Sequence, residues 1–189
     1  EYLSSPIDRR PKFHLYKPNI ALITGIAWDH INVFPTMDNY INQFGKFCDL
    51  IEPEGVLIYN EEDIEVKQIA TQRTDELRIV AYGTPEYTAT DNGTVIKIDD
   101  KSYELDIFGA HNLQNLMGAM KIAVEIGIDN DSFLRSMRSF TGAGKRLQKI
   151  VESSTFTMFK DFAHSPSKLM ATTTAVKEQY SDRKLVACM

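Results

Sequence analysis

The feature that most limits what this chain can become is one short run, Asn19-Ile20-Ala21-Leu22-Ile23-Thr24-Gly25, apolar from Ile20 to Ile23 and closed by glycine. A strand with one wet face alternates apolar and polar residues, so an unbroken run fits a strand buried on both faces of a parallel sheet. Parallel neighbours need crossover helices, and the sequence supplies them. Pro35-Thr36 opens a helical stretch with Met37, Tyr40, Ile41, Phe44 and Cys48 on one side and Thr36 as its N-cap. Pro53-Glu54-Gly55 turns into a second apolar run, Val56-Leu57-Ile58-Tyr59-Asn60. Glu61-Glu62-Asp63 suits the first turn of another helix, reaching about Gln72, where carboxylates oppose the helix dipole favourably. Arg78-Ile79-Val80-Ala81-Tyr82-Gly83 returns as a strand. The β-α-β-α-β order predicts a doubly wound α/β sheet.

The period changes over residues 86 to 107. Thr94-Val95-Ile96-Lys97-Ile98 and Tyr103-Glu104-Leu105-Asp106-Ile107 alternate, with turns at Asp91-Asn92-Gly93 and Asp99-Asp100-Lys101, which predicts an antiparallel hairpin segment. A long helix is expected from His111 to a left-handed cap at Gly127, followed by a shorter one from about Asp131 to Phe140. Thr141-Gly142-Ala143-Gly144 reads as a hinge. Strand, helix and strand should then recur over about 147 to 160, 166 to 180 and 184 to 189. The expected domains are therefore 1–144 and 145–189. The chain opens on Glu1 rather than Met and stops at Leu185-Val186-Ala187-Cys188-Met189, which reads as the middle of a buried strand, so a fragment is expected.

With 189 residues, 43% hydrophobic and 25% charged, the chain is ordinary globular material. A formal charge of -5 with only short basic pairs, Arg9-Arg10 and Lys145-Arg146, argues against a nucleic-acid partner. Cys48 and Cys188 lie too far apart for metal-ligand spacing, and no run approaches the length of a membrane span or an apolar targeting segment. A cytoplasmic protein with no membrane partner is expected.

Three constellations could carry chemistry. Trp28-Asp29-His30 falls just past the carboxyl end of the first strand, where α/β sheets bind ligands; a structural Asp-His pair reads equally well. Gly109-Ala110-His111-Asn112-Leu113-Gln114-Asn115 enters the long helix with Asn112 and Asn115 on one face, amides suited to a purine edge, or else an N-cap and a solvated amide. Asp161-Phe162-Ala163-His164-Ser165-Pro166 ends a strand before a helix that Pro166 starts. Asp161 could accept from ribose hydroxyls and His164 could face a ligand, or the pair could be a turn cap and a surface residue. Gly142-Ala143-Gly144-Lys145-Arg146 is no phosphate loop: Ser139 stands where Gly-x-x-x-x-Gly-Lys-[Ser/Thr] needs its first glycine and Arg146 stands at its last position.

In order and spacing, Asp29-His30, His111-Asn112-x-x-Asn115, Gly142-x-x-x-Arg146 and Asp161-x-Ala163-His164-x-Pro166 resemble the Mur ligases of peptidoglycan synthesis and recycling, over essentially the whole chain. The resemblance implies part of a central ATP-binding domain followed by the start of a Rossmann-like ligase domain, with ATP and magnesium as cofactors. His30 would be a magnesium ligand supported by Asp29. Asn112 and Asn115 would read adenine beside His111. Arg146 would contact phosphate or ribose, Asp161 the ribose or the nucleotide-side network, and His164 would face the interdomain cleft, so the catalytic set would be His30, Asp29, Arg146 and His164. The family's first metal-binding Glu would fall three residues before Glu1, and its phosphate loop further upstream. Glu1-Tyr2, Asp8-Arg9-Arg10-Pro11-Lys12-Phe13, Trp28 to Phe34 and Lys145-Arg146-Leu147 look most like the branch that joins UDP-N-acetylmuramate to L-alanyl-γ-D-glutamyl-meso-diaminopimelate. The branch using L-alanine comes next.

Two departures stand out. The family often has Asn where this chain has Gly25, and Lys46 lies one step out of register with the carbamylated lysine of several members. Apart from the resemblance, the Asp29-His30 and Asp161-x-x-His164 pairs would fit a metal-dependent hydrolase; a third reading is a non-catalytic nucleotide-binding or assembly module.

Overall fold

The computed structural model describes residues 3–188; Glu1, Tyr2 and Met189 lie outside them. The chain divides into two compact units, one running to Gly83 and adding Lys121–Gly127, the other formed by Thr84–Met120 and the residues from Ile128 onward.

The first unit is built on three parallel strands, β1 (Ile20–Ile23), β2 (Val56–Asn60) and β3 (Arg78–Tyr82), in the order β1-β2-β3. All five residues of β2 are buried, as the apolar run requires of a strand covered on both faces. The crossovers are α1 (Met37–Cys48) and α2 (Ile64–Thr71). Thr36 caps α1 by accepting from the Asn39 N–H. Asp63 caps α2 by accepting from the Val66 N–H, so the acidic stretch precedes that helix rather than forming its first turn. Aspartate is more effective there because its carboxylate satisfies an N–H that the helix leaves open. Leu57, Val66 and Ala70 are fully enclosed, packed with Ile23, Ile26, Phe34 and Tyr40. A short 3-10 turn, Lys12–Leu15, lays Phe13 against Phe44 and Phe47, and His14 Nε2 lies 2.8 Å from the Gln43 carbonyl.

The second unit holds a three-stranded antiparallel meander, β4 (Tyr87–Thr90), β5 (Gly93–Ile98) and β6 (Lys101–Leu105). The expected hairpin therefore gains an edge strand, β4, whose Tyr-Thr-Ala-Thr sequence carries too little apolar pattern to announce itself. α3 (Ala110–Glu125) begins in this unit, Gly127 follows it at φ 90°, and α4 (Asn130–Met137) comes next. Residues 147 to 160 form a hairpin of two antiparallel strands, β7 (Gln148–Glu152) and β8 (Thr157–Lys160), rather than one strand. Ser153 makes the turn: its hydroxyl accepts from Thr155 and Phe156 N–H groups, while its own N–H donates to the Phe156 carbonyl. α5 (Pro166–Gln179) starts at the proline, as the sequence predicts.

The expected buried strand at 184 to 189 is not seen among the described residues. Residues 184–188 have no regular structure, and Val186 is 72% exposed. An apolar run becomes a strand only where a neighbouring ladder takes its N–H and C=O groups, and no described segment pairs with this one. No helix among the described residues is long and apolar enough to cross a membrane.

Candidate functional site

In the first unit, β1 and β2 run parallel, so the segments leaving both strands emerge at one edge of the sheet. Asp29 and His30 stand in the excursion that leaves β1 there. The Asp29 carboxylate accepts the His30 N–H at 2.8 Å, and His30 adopts a left-handed backbone with φ 54°. Its carbonyl accepts from Val33 and Phe34, closing a tight turn, and the Trp28 indole donates to the Phe34 carbonyl at 3.0 Å. A non-glycine residue with positive φ survives only where its surroundings over-determine it, and these bonds do so.

The second unit contains a cavity of about 600 Å³, within the range of small-molecule sites, and its wall includes His111, Asn112, Asn115, Arg146 and Asp161. Asn112 and Asn115 reach it from the first turns of α3, three residues apart on one face. The Asn112 amide donates to the Phe108 carbonyl at 2.9 Å, which orients its side chain, while Asn115 is exposed. His111 is pushed below its ordinary pKa by burial, with the neighbouring Asp161 charge pulling the other way. It is therefore neutral at pH 7. Gly109 precedes the helix at φ 86°, and a Cβ built there would lie 2.4 Å from the Ala175 Cβ of α5; only glycine lets α5 come so close.

The segment from Gly142 to Leu147 forms another wall. Gly142, Lys145 and Leu147 all have positive φ, at 99°, 62° and 42°. Left-handed Leu147 costs on the order of 1–3 kcal/mol, and its N–H is held at 2.9 Å by Asp161 Oδ1. The other oxygen of that carboxylate, Oδ2, is buried without a hydrogen-bond partner. Arg146 lies over the Phe162 ring, 5.5 Å from its centroid.

The structure thus brings five of the sequence-derived residues to one cavity. His164 is not on its wall; its Nδ1 lies 2.8 Å from the Phe162 carbonyl and its ring packs against Phe162. Asp29 and His30 belong to the other unit. Lys168 and Thr172, four apart on α5, also line the cavity and were not singled out by sequence. The signal was present: Pro166 fixes the helix start, which sets the face that 168 and 172 share. Phe162, the platform under Arg146, carries no signal of its own in the sequence between Asp161 and His164. From sequence alone, Asn60 and Asp63 mark only a strand end and a helix start.

The donor sets decide which groups could be held. The buried, unpartnered Asp161 Oδ2 and the amides of Asn112 and Asn115 fit a ligand with hydroxyls and a planar heterocycle, as a nucleoside has. Among the described residues no three His, Cys, Asp or Glu side chains form a metal-binding group. Asp29 and His30 therefore fit magnesium only in its usual protein mode, one or two side-chain contacts with phosphate oxygens and water completing the shell.

Residues 4–123 match the family model described as the Mur ligase middle domain. The UDP-N-acetylmuramate–L-alanine ligase of Desulforamulus reducens is 30% identical over 97% of this chain and 42% of its own length. Its counterpart in Caldicellulosiruptor bescii is 30% identical over 93% of this chain and 41% of its own. The chain thus spans about two fifths of the length of the curated relatives it matches. Among solved structures, MurF from Acinetobacter baumannii superposes with a TM-score of 0.78 at 18% identity, over 94% of this chain and 41% of that one. At such low identity the superposition speaks for the fold alone, but the family match covers well over half of the 189 residues, and the chain belongs to the Mur ligase family.

Proposed function

We propose that this chain is the nucleotide-binding part of a cytoplasmic, ATP-dependent ligase that joins UDP-N-acetylmuramate to an amine. The observation that carries the reading is the meeting of His111, Asn112, Asn115, Arg146 and Asp161 on one cavity, in a chain of this family. Asn112 and Asn115 present amides to adenine, with neutral His111 beside them. Asp161 Oδ2 accepts from the ribose, which satisfies the buried carboxylate oxygen that the fold leaves unpaired on the cavity wall. Arg146, lying over the Phe162 ring, faces the phosphates or ribose. His164 follows Phe162 and faces the cleft towards the amine-binding side. Residues 1–144 act as the central domain and 145–189 as the start of the ligase domain, with 142–146 as the hinge.

In the reaction, a carboxylate oxygen of the muramyl lactyl group attacks the γ-phosphorus of ATP, the bond to the bridging oxygen breaks, and ADP leaves. The amine then attacks the acyl phosphate carbonyl, inorganic phosphate is expelled, and an amide forms with loss of the amine proton. Bringing two anions together is the main electrostatic difficulty, so positioning and charge neutralisation supply most of the rate. Bound magnesium supplies neutralisation at the phosphates; Asp29 and His30 are the residues of this chain that would hold it. The 189 residues contain no Gly-x-x-x-x-Gly-Lys-[Ser/Thr], so the β- and γ-phosphate cradle is assigned to sequence beyond them.

Two amines compete. The segments Asp8 to Phe13 and Trp28 to Phe34 favour the tripeptide L-alanyl-γ-D-glutamyl-meso-diaminopimelate, whereas the curated relatives at 30% identity are named for L-alanine. The full-length ligase should release ADP over many turnovers only when ATP, UDP-N-acetylmuramate and one of these amines are present together. Comparing kcat/KM for the two amines selects the branch. Multiple-turnover ADP release that ignores both amines would sink the reading, as would stoichiometric zinc held without nucleotide, which points to a hydrolase.

A further inference from the structure

We infer that Asp63, assisted by Asn60, is a positioning residue that clamps the base of the Asp29-His30 excursion; its catalytic consequence rests on the proposed ligase reading. Asp63 stands between β2 and α2 and uses its two carboxylate oxygens on two different segments. Oδ1 accepts the Val66 N–H at 3.0 Å and caps α2, while Oδ2 accepts the Ile26 N–H at 2.8 Å, in the segment leaving β1. Asn60, the last residue of β2 and only 4% exposed, does the same with a donor and an acceptor. Its amide N–H donates to the Thr24 carbonyl at 3.1 Å, and its Oδ1 accepts from the Glu62 N–H at 3.1 Å.

Thr24 and Ile26, flanking Gly25, are thus each tied to the β2–α2 turn by a side chain. Gly25 has no side chain of its own to fix this bend, and the Asp63 carboxylate lies against it: a Cβ built at Gly25 would be 3.2 Å from Oδ2. The far end of the excursion is closed by the Trp28 to Phe34 bond and the left-handed turn at His30. Between those fixed ends stand Asp29 and His30. An acceptor lost at Ile26 frees the base of the excursion and leaves a half-buried N–H unpaired, so the position of His30 becomes a distribution rather than a point.

The arrangement separates capping from clamping, because the cap needs one acceptor and the clamp needs a second. Asp63→Ser leaves a hydroxyl able to accept from Val66, an equally good N-cap, but nothing that reaches Ile26. Asp63→Asn, with a single carbonyl oxygen for two amides, serves as the second variant should the serine protein fail to fold. In the full-length ligase, hydrogen exchange at the Ile26 amide should rise at least about tenfold in both variants while α2 stays protected. The magnesium concentration for half-maximal activity should rise several-fold, and adenosine affinity should stay within about twofold. An unchanged Ile26 rate overturns the clamp, and a released Ile26 with unaltered magnesium dependence overturns its positioning role. Wild-type protein that makes no amide from ATP would sink the ligase reading instead, with the Ile26 rate still deciding the clamp.

Discussion

The two units of this molecule solve opposite problems with their polar groups. In the first, Asn60 and Asp63 at the carboxyl edge of the sheet use both ends of their side chains on backbone, β2 beneath them is buried throughout, and the unpaired buried group there, among the described residues, is a neutral hydroxyl, that of Tyr82. In the second, the cavity wall keeps a buried carboxylate oxygen unpaired, and the adjoining hairpin β7–β8 is largely exposed, with no residue of β7 buried. A segment wired to its own backbone holds its geometry before any ligand arrives. A wall with an unsatisfied oxygen is completed by the ligand.

The contrast predicts how unequally the two units bear damage. Leu57→Ala, at the fully buried centre of β2, should cost about 2–5 kcal/mol by opening a cavity in close-packed surroundings, whereas Val151→Ala, 41% exposed on β7, should cost no more than about 0.5 kcal/mol. Urea unfolding of the two proteins measures the gap; equal losses would show that the hairpin is as well packed as the sheet.

Function should divide the other way. His30→Ala in the full-length protein should lower turnover by about 100-fold or more, since on the proposed reading it removes a magnesium-holding group used in phosphoryl transfer. Stability should change by less than about 1 kcal/mol, because alanine bears the same left-handed backbone and His30 packs no core. An early-melting protein that keeps its specific activity while folded would make His30 structural.

At the cavity, Asp161→Asn can keep the Leu147 N–H bond while replacing the free oxygen by a donor. It should weaken adenosine about tenfold, roughly 1.4 kcal/mol, with little change in melting temperature. Unaltered affinity would leave the orphan oxygen without a ligand role. His111 offers a smaller test through pH. Its folded pKa is lowered by burial, so the unfolded chain binds the proton first as pH falls. Its contribution to stability is therefore complete above the unfolded value of about 6.5 and is lost as pH falls through the folded one. His111→Gln should flatten that part of the stability profile, as chemical unfolding between pH 7 and pH 5 would reveal.

What could be read from sequence follows the same divide. The parallel strands, the Thr36 cap and the Pro166 helix start were legible because each depends on a few adjacent residues: an unbroken apolar run, a hydroxyl before a helix, a ring that fixes φ. The motif residues were legible by type, but their meeting on one cavity depends on segments up to 50 residues apart, from His111 to Asp161, and no local pattern encodes it. The edge strand β4 and the Ser153 turn escaped because they rest on weak pattern and on a single hydroxyl. The run at 185–188 misled because apolar sequence records a tendency to be buried without supplying the neighbour that would bury it. Asp63 escaped for a different reason. Its helix-capping half is local and readable, while its bond to Ile26 spans 37 positions and depends on the parallel register of β1 with β2.

The smallest expected effect is the sharpest test of where the phosphates go. The cavity wall offers groups suited to a base and a sugar, and Arg146 is the only cation singled out there for a phosphate contact; Lys168 stands on the opposite helix. The backbone amides and lysine of a phosphate loop, which would normally add most of the affinity for the β- and γ-phosphates, have no counterpart in these 189 residues. A chain that recognises adenine and ribose alone gains little from a triphosphate, and less from a magnesium ion whose main contacts would be that triphosphate. Calorimetry on the isolated chain should therefore give Kd values for adenosine and ATP within about threefold of each other, insensitive to magnesium, and no amide formation. Tight, magnesium-dependent ATP binding would place a phosphate site within this chain. The segment Gly142 to Leu147, with its left-handed turns and two adjacent cations, would be the first place to look for it.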